Sequence, residues 1–144
     1  MIIPDVNTLV YAYRREAREH HRYADWLVRV VAGDDELGLV DTCLTGFLRI
    51  VTNPRIVADP APAKHAFGFV RTIQAGRRAQ PLSSTAATWA IFADFVAADR
   101  GVKANLVPDA YLAALAISHR GRLASADRGF GRFQGLDFFD PAGE

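Results

Sequence analysis

The sequence predicts an α/β fold in which a short, mostly parallel central sheet is outweighed by helices. Three observations point there. Short strand-like runs alternate with longer helical segments. Those longer segments repeat apolar residues at i, i+3, i+4 and i+7. Gly, Pro and Ser/Thr clusters fall at the joints.

The first strand-like run is Ile2-Ile3, after which Val6, Leu9, Val10 and Tyr13 follow helical spacing. Tyr23, Trp26, Leu27 and Val30 make a second stripe, closed by the turn residues Gly33-Asp34-Asp35. Leu37-Gly38-Leu39-Val40 reads as the next strand, and Leu44, Phe47, Leu48 and Val51 as the third helical stripe. Asn53-Pro54 and Asp59-Pro60-Ala61-Pro62 mark a loop before the stripe Ala66, Phe69, Val70 and Ile73, which Gly76 ends. Gln80-Pro81-Leu82 is strand-like, and Ser83, Ser84 and Thr85 offer N-caps for a helix carrying Trp89, Phe92 and Val96. Ala110, Ala113, Ala114 and Ile117, widened by Leu112 and Leu115, form the last stripe. Gly121 then precedes Leu123-Ala124-Ser125, and Asp137-Phe138-Phe139 closes the pattern. The plain meaning of the stripes is core packing. No repeat or linker interrupts them, so residues 1–144 are expected to form a single domain.

Composition narrows the class. Half the residues are hydrophobic and 23% are charged, which is globular rather than disordered. Cys43 is the only cysteine, so no intrachain disulfide is possible and a reducing, cytoplasmic setting is expected. Neither a secretory leader nor a membrane-length apolar run is visible. Net charge is +1, too small to announce a nucleic-acid partner by itself. His20 and His21 are adjacent and His65 and His119 isolated, which is not zinc spacing. Phosphate-loop and Gly-x-Ser-x-Gly patterns are absent.

The chemistry lies in the acids. Asp5 follows the first strand, Asp41 the second and Asp127 a later one, while Asp109 opens the alanine-rich helical segment. In open parallel sheets, ligands bind beyond the carboxyl ends of the strands, so these acids can converge on one edge. Gathered carboxylates resist joint ionisation, and a divalent cation with a taste for hard oxygen, Mg²⁺ or Mn²⁺, reverses that penalty. Each acid also has a purely structural role available. Asp5 can close an Asx turn with Asn7 capping the next helix. Asp109 can be a first-turn acid favoured by the helix dipole, and Asp127 can cap Arg128-Gly129-Phe130.

Asp5-Val6-Asn7-Thr8-Leu9 resembles the opening motif of PIN domains. Asn105-Leu106-Val107-Pro108-Asp109-Ala110-Tyr111-Leu112 is similar to the third motif of that family. Leu123-Ala124-Ser125-Ala126-Asp127-Arg128-Gly129-Phe130 is similar to the fourth. Phe47-Leu48-Arg49-Ile50-Val51-Thr52-Asn53-Pro54-Arg55 resembles a segment of VapC-type toxins. The resemblance spans essentially the whole chain and implies a three-layer α/β/α fold. It implies a Mg²⁺-dependent endoribonuclease, the toxin of a type II toxin–antitoxin pair, that hydrolyses RNA phosphodiesters with metal-activated water.

By the same carry-over Asp5 and Asp109 ligate Mg²⁺ (Mn²⁺ as substitute), and Asp127 completes the catalytic set. Asn7 and Ser125 orient the carboxylates. A cognate antitoxin and a second copy of the chain are the implied protein partners, the latter docking on an apolar helix face such as that of Leu44 and Val51. Arg14, Arg15 and Arg18 are candidates to flank the pocket, or are simply a solvated helix end.

One departure stands out. The family's glutamate after the second strand is missing from Val40-Asp41-Thr42-Cys43-Leu44-Thr45-Gly46-Phe47. Asp41 either replaces it or caps the helix over residues 42–51. The departure sustains an alternative class, a PIN-like RNA- or protein-binding module with little or no turnover. A dehalogenase-type phosphatase fits poorly, because its second aspartate would fall at Asn7. A receiver-like domain lacks its early acidic pair.

Overall fold

In the computed structural model, which describes residues 1–143, the strands are β1 (Ile2–Pro4), β2 (Leu37–Val40), β3 (Ala79–Leu82), β4 (Arg122–Ala124) and β5 (Phe138–Phe139). The helices are α1 (Val6–Tyr13), α2 (His20–Ala32), α3 (Asp41–Val51), α4 (Ala63–Gln74), α5 (Ala86–Ala98) and α6 (Leu106–Ser118). Short 3-10 turns cover Arg128–Arg132 and Pro141–Gly143. Every strand and helical stripe expected from the sequence is present.

The strands form one all-parallel sheet in the order β3-β2-β1-β4-β5. The N-terminal strand is therefore central. Ile2 sits opposite Leu37 on one side and opposite Arg122 on the other. Side chains alternate across the sheet, as the two-residue period of a strand requires. Leu37 and Leu39 join the core beneath α1, α2, α3 and α4, while Ile3, Val40 and Leu123 join the core beneath α6. Helices on both faces make the three-layer α/β/α architecture. Gly38 is needed for close packing here: a Cβ would lie 2.5 Å from Leu82 Cδ1.

Local chemistry explains the helix starts. Asp5 is the N-cap of α1, its carboxylate accepting the Thr8 amide at 2.6 Å, a cap worth about 1 kcal/mol. Thr85 caps α5 in a reciprocal box with Thr88, whose hydroxyl also meets Ser118 at 2.7 Å and ties α5 to α6. α6 begins three residues before Asp109, and its first turn tolerates Pro108 because early helical amides have no partner to lose. Asp41 is not a cap. It is the first residue of α3, behind the uncapped Val40.

Two surfaces depart from simple amphipathic packing. The apolar side of α3 faces the core, with Leu44, Phe47 and Val51 all buried, so those three side chains are already covered within the chain. Every residue of α5 except Thr88 and Asp94 is apolar, or small like Ala, yet Thr88 is its one buried residue. No helix among the described residues is long and apolar enough to cross a membrane.

Candidate active site

The carboxyl ends of β1 and β4 lie side by side, because Pro4 pairs with Ala124. The chain leaving β1 enters Asp5, and the chain leaving β4 enters Ser125 and Asp127. The Asp5 amide donates to the Ala124 carbonyl at 3.1 Å, which locks the two exits together. Asp5 is 4% exposed. One carboxylate oxygen accepts the Thr8 amide, and the other accepts the Ser125 hydroxyl. Ser125 is buried, and its oxygen accepts the Asp127 amide at 3.1 Å. The Asp127 carboxylate accepts the Gly129 amide at 2.7 Å and starts the 3-10 turn Arg128–Arg132.

Asp109 comes to this edge on the first turn of α6. The three acids form a gradient: Asp5 buried, Asp109 half-buried, Asp127 exposed. Burial pushes the Asp5 carboxyl above its ordinary value. The Ser125 and Thr8 hydrogen bonds pull it partly back, and the charge of Asp127 pushes it up again. Asp109 is raised by burial first, then by Asp127 and Asp5. These mutual influences show the three acids within electrostatic reach of one another.

The ion pairs among the described residues join Arg14–Glu16, Arg77–Asp34, Arg78–Glu36, Arg122–Asp137 and Arg132–Asp99; none uses the three acids. The pocket thus concentrates negative charge without an internal cation. Its donor set, carboxylate oxygens with a hydroxyl behind them, is the hard-oxygen chemistry that suits Mg²⁺ or Mn²⁺. It is not a closed cage: among the described residues no three His, Cys, Asp or Glu side chains stand close enough to enclose an ion.

The remaining sequence candidates fall differently. Ser125 bonds Asp5 directly. Asn7 is exposed on the first turn of α1, and the hydrogen bonds that hold Asp5 come instead from Thr8 and Ser125. Thr8 escaped notice because a threonine inside an apolar helical stripe reads as filler. Asp41 is exposed and lines a small cavity of about 130 Å³ with Leu39, Leu44, Gln74 and the β3 residues Ala79, Gln80 and Pro81.

The α3 side chain near the acids is Cys43, buried, its thiol pushed up to about 12 by burial and by Asp5 and Asp109. α3 therefore brings a neutral thiol, not a carboxylate, to this edge. Arg14 caps the far end of α1, nine residues and about 13 Å along the helix axis from Asp5. It pairs with Glu16 and donates to the Asp59 carbonyl, so Arg14 is engaged away from the acids.

The raised acids give a signed stability effect. Their folded-state affinity for protons exceeds the unfolded one, so metal-free stability rises as pH falls from neutrality toward 3.8, and falls as pH climbs through the raised values. Thermal melts in chelator are expected to show a higher Tm at pH 5 than at pH 7.5. The difference should shrink in Asp5→Asn. An equal pH slope in wild type and variant would contradict the assignment.

Fold and site together define a class: a three-layer α/β/α domain with a carboxylate pocket at the carboxyl edge of a parallel sheet. The PIN domain model matches residues 2–136, and the chain belongs to the PIN-domain family. It is 39% identical over 141 residues to VapC ribonuclease Mb2897 of Mycobacterium bovis, covering 98% of this chain and 95% of that protein. It is 31% identical to ribonuclease VapC25 of Mycobacterium tuberculosis, covering 98% and 99%. Among solved structures it is similar to VapBC2 from Rickettsia felis bound to a promoter DNA fragment, with a TM-score of 0.71 at 15% identity, covering 97% of this chain and 98% of that one. FitAB bound to an IR36 DNA fragment gives 0.69 at 21% identity, covering 99% and 96%.

Proposed function

We propose that this protein is the ribonuclease toxin of a type II toxin–antitoxin pair, a Mg²⁺-dependent endoribonuclease. The observation that carries this reading is the set of three carboxylates, graded from buried to exposed, with no internal cation. The names of the VapC relatives support RNA as the substrate. Asp5 and Asp109 would hold Mg²⁺, with Asp127 completing the set at the rim. A bound Mg²⁺ supplies Lewis acidity toward the phosphodiester and a more nucleophilic water.

The chain itself supplies position. Ser125 and the α1 cap hold Asp5 in one orientation, and α6 presents Asp109 from its first turn. Arg128, exposed next to Asp127, would be a candidate to meet a phosphate, a contact that would make RNA binding fall with added salt. Incubating the purified protein with RNA in EDTA, then with Mg²⁺ or Mn²⁺, tests the reading. Cleavage is expected only with the metals, and metal-independent cleavage or none at all would overturn it.

The absence of a glutamate near the start of α3, which brings the neutral thiol of Cys43 rather than a carboxylate toward the acids, favours a second reading in which the domain binds RNA or protein with weak turnover. RNA retention without cleavage at any metal concentration would select it. An antitoxin partner is supported by the structural neighbours VapBC2 and FitAB, and it would neutralise the protein by covering the acidic edge.

The second copy of the chain is assigned to α5. Trp89 is 56% and Val96 47% exposed, and Trp89, Phe92 and Tyr111 cluster with ring centroids 5.6–6.1 Å apart. Such a contiguous apolar face is suited to self-complementary pairing about a two-fold axis. Sedimentation is expected to find a wild-type dimer and a Trp89→Glu/Val96→Glu monomer. A dimer that survives both charges would place the interface elsewhere.

A further inference from the structure

We infer that Thr8 is a positioning residue: its hydroxyl pins the start of α1 to the end of β4 and so sets the Asp5 carboxylate relative to Ser125 and Asp127. The inference rests on the proposed nuclease function for its catalytic consequence, but not for its structural one.

Thr8 is fully buried. Its hydroxyl donates 2.9 Å across to the Ala124 carbonyl, 116 residues away in sequence. A helical threonine hydroxyl ordinarily turns back to a carbonyl of its own preceding turn. Here that carbonyl would belong to Pro4, at the end of β1, and the hydroxyl bridges to the neighbouring strand instead.

The Ala124 carbonyl consequently takes two donors, the Asp5 amide at 3.1 Å and the Thr8 hydroxyl. The Thr8 amide meanwhile holds an Asp5 carboxylate oxygen at 2.6 Å. One residue thus grips the carboxylate with its backbone and the opposing strand with its side chain. The residue after Ala124 is Ser125, which holds the other oxygen of Asp5 and, through the same hydroxyl oxygen, the Asp127 amide. Breaking the hydroxyl bridge lets the α1 cap and the β4 exit shift against each other. That freedom changes where the Asp5 oxygens point without removing any acid.

Thr8→Val keeps the shape and removes the donor; Thr8→Ser keeps the donor and removes the methyl. Amide hydrogen exchange in the absence of metal and RNA reads the positioning directly. In Thr8→Val the Asp5 and Ser125 amides are expected to exchange at least about ten times faster, with the α2 and α4 amides unchanged and Thr8→Ser near wild type.

On RNA, Thr8→Val is expected to lose about ten-fold in kcat with KM within two-fold, and Thr8→Ser to recover most of the rate. Unchanged local exchange in Thr8→Val overturns the inference, as does uniformly faster exchange, which would make Thr8 a general stabiliser. Should the wild type cut no RNA, the nuclease proposal falls and the exchange result alone decides the role of Thr8.

Discussion

Expression of this chain in a bacterial host is expected to arrest growth, and Asp109→Ala is expected to abolish the arrest. In the purified protein the same change should lower RNA cleavage at least about 1000-fold, equivalent to about 4 kcal/mol of transition-state stabilisation. The size follows from placement. Asp109 is half-buried at the acidic edge, raised by burial and by the two other acids, and no lysine or arginine among the described ion pairs shields it. Its loss removes one of the two carboxylates assigned to the cation. Folding should survive, because α6 keeps its buried alanines and leucines and loses only a repulsive charge. Circular dichroism and a melt establish that the variant is folded. Growth arrest undiminished by Asp109→Ala would exclude a nuclease that depends on this pocket.

The second large effect separates function from stability. Asp5→Asn is expected to reduce Mg²⁺-dependent cleavage by a comparable factor while making the metal-free protein more stable at pH 7.5. Asparagine can accept the Thr8 amide with its carbonyl, but its amide meets Ser125 with a donor where the carboxylate met it with an acceptor, so the Ser125 hydroxyl must turn to another acceptor and part of the gain is lost. What disappears is a buried charge held above its ordinary protonation range by burial. Urea denaturation in chelator measures the gain. Added Mg²⁺ should stabilise wild type and leave Asp5→Asn unmoved. A destabilised Asp5→Asn would mean that the carboxylate serves the α1 cap more than the pocket.

The sequence legibly carried the elements, because each is a short local pattern. The stripes at Val6, Tyr23, Leu44, Ala66, Trp89 and Ala110 lie within α1 to α6, and the five apolar runs coincide with β1 to β5. Convergence of Asp5, Asp109 and Asp127 was also legible, since all three follow strands or open a helix and the parallel sheet turns those positions to one edge. Less accessible was anything set by orientation. Asp41 and Cys43 are two residues apart, yet only Cys43 reaches the acids, because helical positions two apart point about 200° apart, to nearly opposite sides. Asn7 and Thr8 are neighbours, and the hydroxyl that matters belongs to the less conspicuous one. The α3 stripe looked free for a partner because a stripe shows what is apolar, not what already covers it. The α5 stripe looked like ordinary core for the same reason.

The central position of β1 also bears on synthesis. Strands β2 and β4 flank it, and β4 is made only after about 120 further residues have followed β1. A growing chain reaches the ribosome exit with Asp5 already made and nothing to pair with the other side of its strand. The pocket cannot assemble until Ala124 and Ser125 emerge, about 120 residues after Asp5. Long-range closure of this kind slows folding, because the intervening loop must be ordered before its contacts repay it. A nascent chain that has not yet delivered β4 carries Asp5 without the Ser125 hydroxyl and the Ala124 carbonyl that hold it, so its acidic edge is still unformed.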